Sequence, residues 1–156
     1  MPRVCMWMLR SSLAWMLIGY SIGGLLLANK ALNFFEPIWS LRFTHIWMLL
    51  LGWLVQLSTG MMVWIMPRLV KTRDRGDLRP IWVMYFALNA GMLLAALQPP
   101  LSRLIDPDKL AWMAPLAGVL LIVAVLSFAL HIRPRIRPVV EYPVPPAPKR
   151  GNKEST

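Results

Sequence analysis

The sequence predicts an all-α integral membrane protein, a bundle of four helices, and two observations support this. Hydrophobic residues make up 57% of the 156 residues and charged residues only 15%, a balance too apolar for an ordinary soluble domain. The apolar residues also form four runs of 18 to 21 residues that contain no Asp, Glu, Lys or Arg, at 11–29, 46–66, 81–98 and 110–130. Each run is long enough to cross a bilayer as a helix, the form that satisfies its own backbone polar groups in lipid.

The first run, 11–29, is predicted to remain in the protein as a signal anchor. It is longer than the apolar part of a secretory signal peptide, and no small-x-small cleavage motif follows it. Gly19 and Gly23 stand four residues apart within it. Small residues at this spacing let a second helix approach closely, so the pair predicts a helix contact.

The second run, 46–66, opens just after His45 and carries the candidate site. On a helical projection His45, Gly52, Gln56 and Gly60 fall on one side. This face offers a possible metal ligand, then a shallow glycine groove, then an amide. Haem needs an axial nitrogen and apolar surroundings. A histidine at a membrane boundary also serves as an ordinary hydrogen-bonding residue, so the pattern alone leaves both interpretations open.

The third run, 81–98, is predicted to pack inside the bundle. Asn89 lies near its middle, as Gln56 does in the second run. Because an amide that faces lipid is costly, both are expected to face inward, towards each other. Pro99 and Pro100 follow the run and are expected to end the third helix.

The fourth run, 110–130, is predicted to start at an aspartate cap and to pack through small residues. Asp106 precedes it and is suited to bind free backbone N–H groups. Ala114 and Gly118 stand four residues apart, which predicts another close helix contact. The transmembrane domain is thus expected to span residues 1–131, and the Pro-rich basic tail, 132–156, is expected to be disordered.

The distribution of basic residues predicts the orientation in the membrane. Thirteen of the seventeen lie on the side that holds both termini, and four lie on the other side: Lys30, Arg42, Arg103 and Lys109. By the positive-inside rule both termini are cytoplasmic, in a multi-pass protein of the cell's inner (plasma) membrane. The net charge of +10 follows from this asymmetry, and no recognition module indicates a nucleic-acid partner.

The segment that begins at His45 resembles a known family of membrane helices. His45, the pair Gly52-Trp53, the later Gly60 and the closing Trp64-x-x-Pro67 are similar to the second helix of haem–copper oxidase subunit I. They are more similar still to short four-helix proteins that resemble the N-terminal part of that subunit. In those short proteins a second histidine often stands two residues after the first, whereas this chain has Trp47 at that position.

The resemblance implies that His45 is an axial ligand of a low-spin haem b. From the helical projection, Gly52, Gln56 and Gly60 are the candidates to line the cofactor. The only other histidine, His131, is expected about 30 Å away at the opposite membrane surface. The second ligand is then Met113, a partner protein, or His45 of a second copy. With so few histidines the chain lacks the ligands of an oxidase centre. No catalytic residue is predicted, and the chain is not expected to be an enzyme on its own.

Two functions therefore remain open from the sequence. The first is a small subunit that binds haem b through His45 in a respiratory setting. The second is a cofactor-free accessory or assembly subunit of a larger membrane complex, in which His45 and the small residues only pack helices. A homo-oligomer or a larger respiratory complex is the expected partner in either case. A transporter is disfavoured, because no acid–base pair or broken half-helix appears in the runs.

Overall fold

A computed structural model describes residues 1–66 and 77–133, and every regular element in these ranges is helical. The first helix is Arg3–Leu32, the third Arg79–Leu101 and the fourth Met113–Ile132, the last preceded by a single turn, Pro107–Leu110. The second helix is continuous but changes its hydrogen bonding along its length: a 3-10 turn at Glu36–Ser40, then α at Leu41–Trp47, π at Met48–Val55 and α at Gln56–Ile65.

Four helical segments are long and apolar enough to cross a membrane: Arg3–Leu32, Glu36–Ile65, Arg79–Leu101 and Pro107–Ile132. The predicted architecture of four long apolar helices is therefore confirmed. They extend past the uncharged runs, and the first begins at Arg3 rather than near residue 11. Hydrophobicity marks only the part of a helix that would lie in hydrocarbon, whereas backbone hydrogen bonding continues beyond it. Residues 134–156, which cover most of the predicted tail, lie outside the described residues.

The helices pack in chain order: the first against the second, the second against the third, and the third against the fourth. The fourth helix has only minor contacts with the first and second. Successive helices run in opposite directions, so the bundle has two ends. We call them the His45 end, where the second helix begins, and the His131 end, where the fourth helix stops.

The third and fourth helices approach each other closely at Gly91. A Cβ atom added there would lie 3.1 Å from the carbonyl oxygen of Ala117 and equally close to two leucine side chains. Ala117 is buried on the facing helix, whereas an added Cβ at Gly118 would meet nothing within 4 Å. The expected contact through Gly118 was therefore wrong by one residue, because four-residue spacing alone does not fix which side of a helix is covered.

The two prolines expected to end the third helix lie inside its last turn, since the helix continues to Leu101. Pro100 has no N–H to donate to the carbonyl oxygen of Ala96, four residues earlier. The hydroxyl of Thr44 donates to that oxygen instead, at 2.5 Å, in a buried bond. The second helix thus supplies the donor that proline removes, which explains why the prediction of a helix stop at Pro99 was wrong.

Side chains that bind the backbone shape the turns at the His45 end. Asn33 adopts a left-handed conformation (φ 47°) after the first helix, and the Asn29 side chain accepts a hydrogen bond from the Phe35 N–H at 2.8 Å. Before the fourth helix, Asp106 accepts from the Asp108 N–H at 3.2 Å, which confirms the predicted aspartate cap, on the turn Pro107–Leu110. The asparagine turn sets where the second helix begins, at Glu36.

Candidate functional site

His45 packs into the glycine pair of the first helix. Its Nδ1 lies 2.7 Å from the carbonyl oxygen of Gly19, and because a carbonyl oxygen only accepts, Nδ1 carries the proton and donates it. In the neutral ring the lone pair is then on Nε2. Gly23 lies under the same ring: a Cβ atom added there would be 2.5 Å from Cε1 and 2.9 Å from Nδ1. The absence of a side chain at Gly23 is what lets the imidazole lie against this helix.

The residues predicted to share a face with His45 do share one, and that face packs on the first helix. A Cβ atom added to Gly52 would lie 2.8 Å from Trp15 Cγ and 2.8 Å from Met92 Sδ. A Cβ atom added to Gly60 would lie 3.1 Å from Met8 Cβ. The shallow groove expected over these glycines is therefore filled by side chains of the first and third helices, and a macrocycle has no room on it.

Gln56, the remaining member of that face, belongs to a polar network that joins three helices. Its Nε2 donates to the carbonyl oxygen of Met8 at 3.2 Å and also to the hydroxyl of Ser11. Its Oε1 accepts from Asn89 Nδ2 at 2.9 Å, and Asn89 Oδ1 accepts from Trp15 Nε1 at 2.8 Å. The prediction that the two amides face each other is confirmed. Because every polar atom of Gln56 is used within the protein, it is not available to a cofactor.

Replacing Asn89 with alanine should destabilise the bundle by about 1 to 2 kcal/mol, since two interhelical hydrogen bonds are lost and Trp15 Nε1 loses its acceptor. Thermal unfolding in detergent, followed by circular dichroism, measures the change. The matched control is Ser21→Ala, which removes an exposed hydroxyl that bonds only within its own helix, to Leu17. Equal stability of the two variants would show that the network contributes nothing to the fold.

The two candidate ligands other than His45 lie elsewhere. Met113 is buried at the first residue of the fourth helix, which packs chiefly on the third helix. His45 packs on the first helix instead, through its hydrogen bond to Gly19. His131 is buried at the opposite end of the bundle, where its Nδ1 donates to the carbonyl oxygen of Asp77 at 2.9 Å. The predicted separation of the two histidines is confirmed.

Two features of the site were missed by sequence reasoning. The carbonyl oxygen of Gly19 orients the histidine, and Trp15 fills the space over Gly52. The glycine pair was noticed, but only as a place for a helix to pack, and a pattern of small residues does not tell whether a backbone or a ring will occupy it. For Trp15 the sequence did contain an indication. An indole N–H inside a membrane span needs a hydrogen-bond acceptor, so Trp15 is expected to face a polar group of another helix.

Within residues 1–66 and 77–133 no group of three His, Cys, Asp or Glu side chains is placed to hold a metal ion. In comparisons with family models, curated proteins and solved structures, this chain matches none of them. The resemblance of the His45 segment to oxidase subunit I thus stays an expectation from the sequence.

Proposed function

We propose that this chain is a small integral membrane subunit that binds haem b through Nε2 of His45. The observation that supports the proposal is the hydrogen bond from His45 Nδ1 to the carbonyl oxygen of Gly19, 2.7 Å long. Histidines that bind metals usually donate their other ring N–H to a carbonyl or carboxylate, which fixes the tautomer and the ring orientation. The first helix holds His45 in that state, and Nε2 lies beside Gly23, 3.3 Å from the position of an added Cβ.

The residues that would hold the cofactor differ from the predicted set. His45 would be the axial ligand and Gly19 its orienting partner, whereas Gly52 and Gly60 are covered by Trp15 and Met8. The macrocycle would have to lie outside that helix contact. The neighbouring Gly24 is uncovered, because an added Cβ there meets nothing within 4 Å.

The second axial ligand in this proposal comes from another chain, either a partner protein or His45 of a second copy. Met113 begins a helix that packs chiefly on the third helix, and His131 lies at the opposite end of the bundle. A b-type haem with two axial ligands carries one electron, which suits a component of a respiratory membrane complex. We place both termini on the cytoplasmic side of the inner (plasma) membrane, because the basic residues concentrate there.

Purified protein, expressed with ample haem, should show the absorption bands of a b-type haem. The bands should disappear in His45→Ala and persist in His131→Gln, the matched control at the chain's only other histidine. They should also persist in Met113→Leu, since the proposal takes the second ligand from another chain. A colourless, folded wild-type protein, or a spectrum unchanged in His45→Ala, would overturn the proposal.

A second function, a cofactor-free accessory or assembly subunit, is favoured by a different observation. The glycine face of the second helix is already filled by Trp15 and Met8, and Gln56 is fully used in the polar network. In that case His45 serves only to join the first and second helices. Capture from native membranes should then recover a larger complex that remains intact with the His45→Ala variant.

A further inference from the structure

A cleft at the His45 end carries two arginines that the proposed haem site does not use. It has a volume of about 390 Å³ between the start of the second helix and the end of the third, and its walls include Ser40, Arg42, Phe43, Pro99, Ser102 and Arg103. Both arginines are exposed, and the Arg42 guanidinium lies 5.2 Å from the centre of the Phe43 ring. None of the described residues that line the cleft is acidic.

A mostly apolar groove lies beside this cleft. Its volume is about 330 Å³, and its walls are apolar except for Gln98; they include Phe43, Trp47, Ala95, Pro99 and Gly118. Phe43 and Pro99 line both spaces, so the groove and the cleft are adjacent. The groove runs over the third helix, with the second and fourth helices as its walls, and Gly118 leaves its wall open because nothing lies within 4 Å of an added Cβ.

The arginines, rather than the serines, give the cleft its affinity for anions. The Ser40 hydroxyl donates to the carbonyl oxygen of Pro37 at 2.9 Å, and the Ser102 hydroxyl donates to that of Pro99 at 2.8 Å. Neither hydroxyl has a proton left for a ligand. Arginine binds phosphate oxygens through charge-assisted hydrogen bonds, often two at a time. Among the described residues no carboxylate forms an ion pair with Arg42 or Arg103.

We propose that the cleft and groove together form a binding site for a phospholipid with an anionic headgroup. The phosphate lies between Arg42 and Arg103, and one acyl chain follows the groove past Trp47 to Gly118. Charge selects the headgroup, and the mostly apolar groove selects a lipid over a free anion. The site is independent of the haem proposal, because His45 faces the first helix whereas Phe43 and Trp47 face the groove.

The full-length protein, titrated in detergent with phosphatidylglycerol or phosphatidylcholine and read by native mass spectrometry, tests the site. The wild type should retain phosphatidylglycerol preferentially. Arg42→Gln combined with Arg103→Gln should reduce that preference by about tenfold. The control is Lys30→Gln combined with Lys109→Gln, which removes the same charge from the same end of the bundle, outside both spaces. The control should keep the wild-type preference.

A second variant tests the groove without changing any charge. Gly118→Leu places a side chain in its open wall, so the affinity for both lipids should fall while the wild-type headgroup preference remains. Inorganic phosphate should not displace the bound lipid. If the arginine and lysine variants lose the preference for phosphatidylglycerol equally, the preference comes from general surface charge, and the proposal is overturned. Equal retention of the two lipids by the wild type, or displacement by inorganic phosphate, would overturn it as well.

Discussion

Gly52→Ala is expected to destabilise the bundle by about 2 kcal/mol, the magnitude typical of an overpacked core. The added methyl group would lie 2.8 Å from Trp15 Cγ and 2.9 Å from Trp15 Cβ. Met92 can rotate away from the new methyl group, but Trp15 Cβ is fixed to the backbone of the first helix. The indole also donates to Asn89 Oδ1 at 2.8 Å, so any shift of Trp15 weakens the polar network as well.

Unfolding of Gly52→Ala in detergent, by heat or by a graded denaturant, measures this effect. The matched control is Gly118→Ala, an identical change in another helix, where the methyl group meets nothing within 4 Å. The control should unfold at the same temperature or denaturant concentration as the wild type, or slightly above it, because alanine has a higher helix propensity than glycine. If Gly52→Ala unfolds no earlier than the control, Trp15 does not pack where the structure places it.

The helices and the inward-facing amides followed from the sequence because both depend on local rules. An uncharged run of about 20 residues has one stable form in a bilayer. An amide in the middle of such a run must find a partner inside the bundle, and Gln56 and Asn89 find each other. The shared face of His45, Gly52 and Gly60 also followed, since it rests on helical periodicity alone.

What fills that face did not follow, because periodicity identifies a surface and not its occupant. The glycines at 52 and 60 were interpreted as a groove for a cofactor, and the structure fills them with Trp15 and Met8. The same limit applies to the prolines of the third helix. The donor that replaces the missing N–H of Pro100 is the Thr44 hydroxyl, which binds the Ala96 carbonyl from 52 residues away in the chain. No local pattern at Pro100 indicates it.

If His45 binds haem as proposed, Gly23→Ala is expected to remove most of that haem while leaving the protein folded. The new Cβ would lie 2.5 Å from His45 Cε1 and 2.9 Å from Nδ1, so the ring must rotate and lose its hydrogen bond to Gly19. The imidazole ends a side chain with two free torsions and can move at a small cost in stability. Without the carbonyl partner the ring orientation is no longer fixed, and loss of such a partner typically lowers metal affinity by 10- to 100-fold.

The neighbouring Gly24 provides the matched control, because its added Cβ meets nothing within 4 Å. Gly24→Ala should keep the wild-type haem content. Imidazole nitrogen NMR of the haem-free protein gives a second measurement, since only two histidines contribute signals. Neutral His45 should carry its proton on Nδ1 in the wild type and in Gly24→Ala, and should show mixed tautomers in Gly23→Ala. Loss of haem without a change of tautomer would mean that Gly23 shapes the cofactor's surroundings and does not act through His45. An unchanged tautomer with unchanged haem would mean that the first helix does not orient the ring at all.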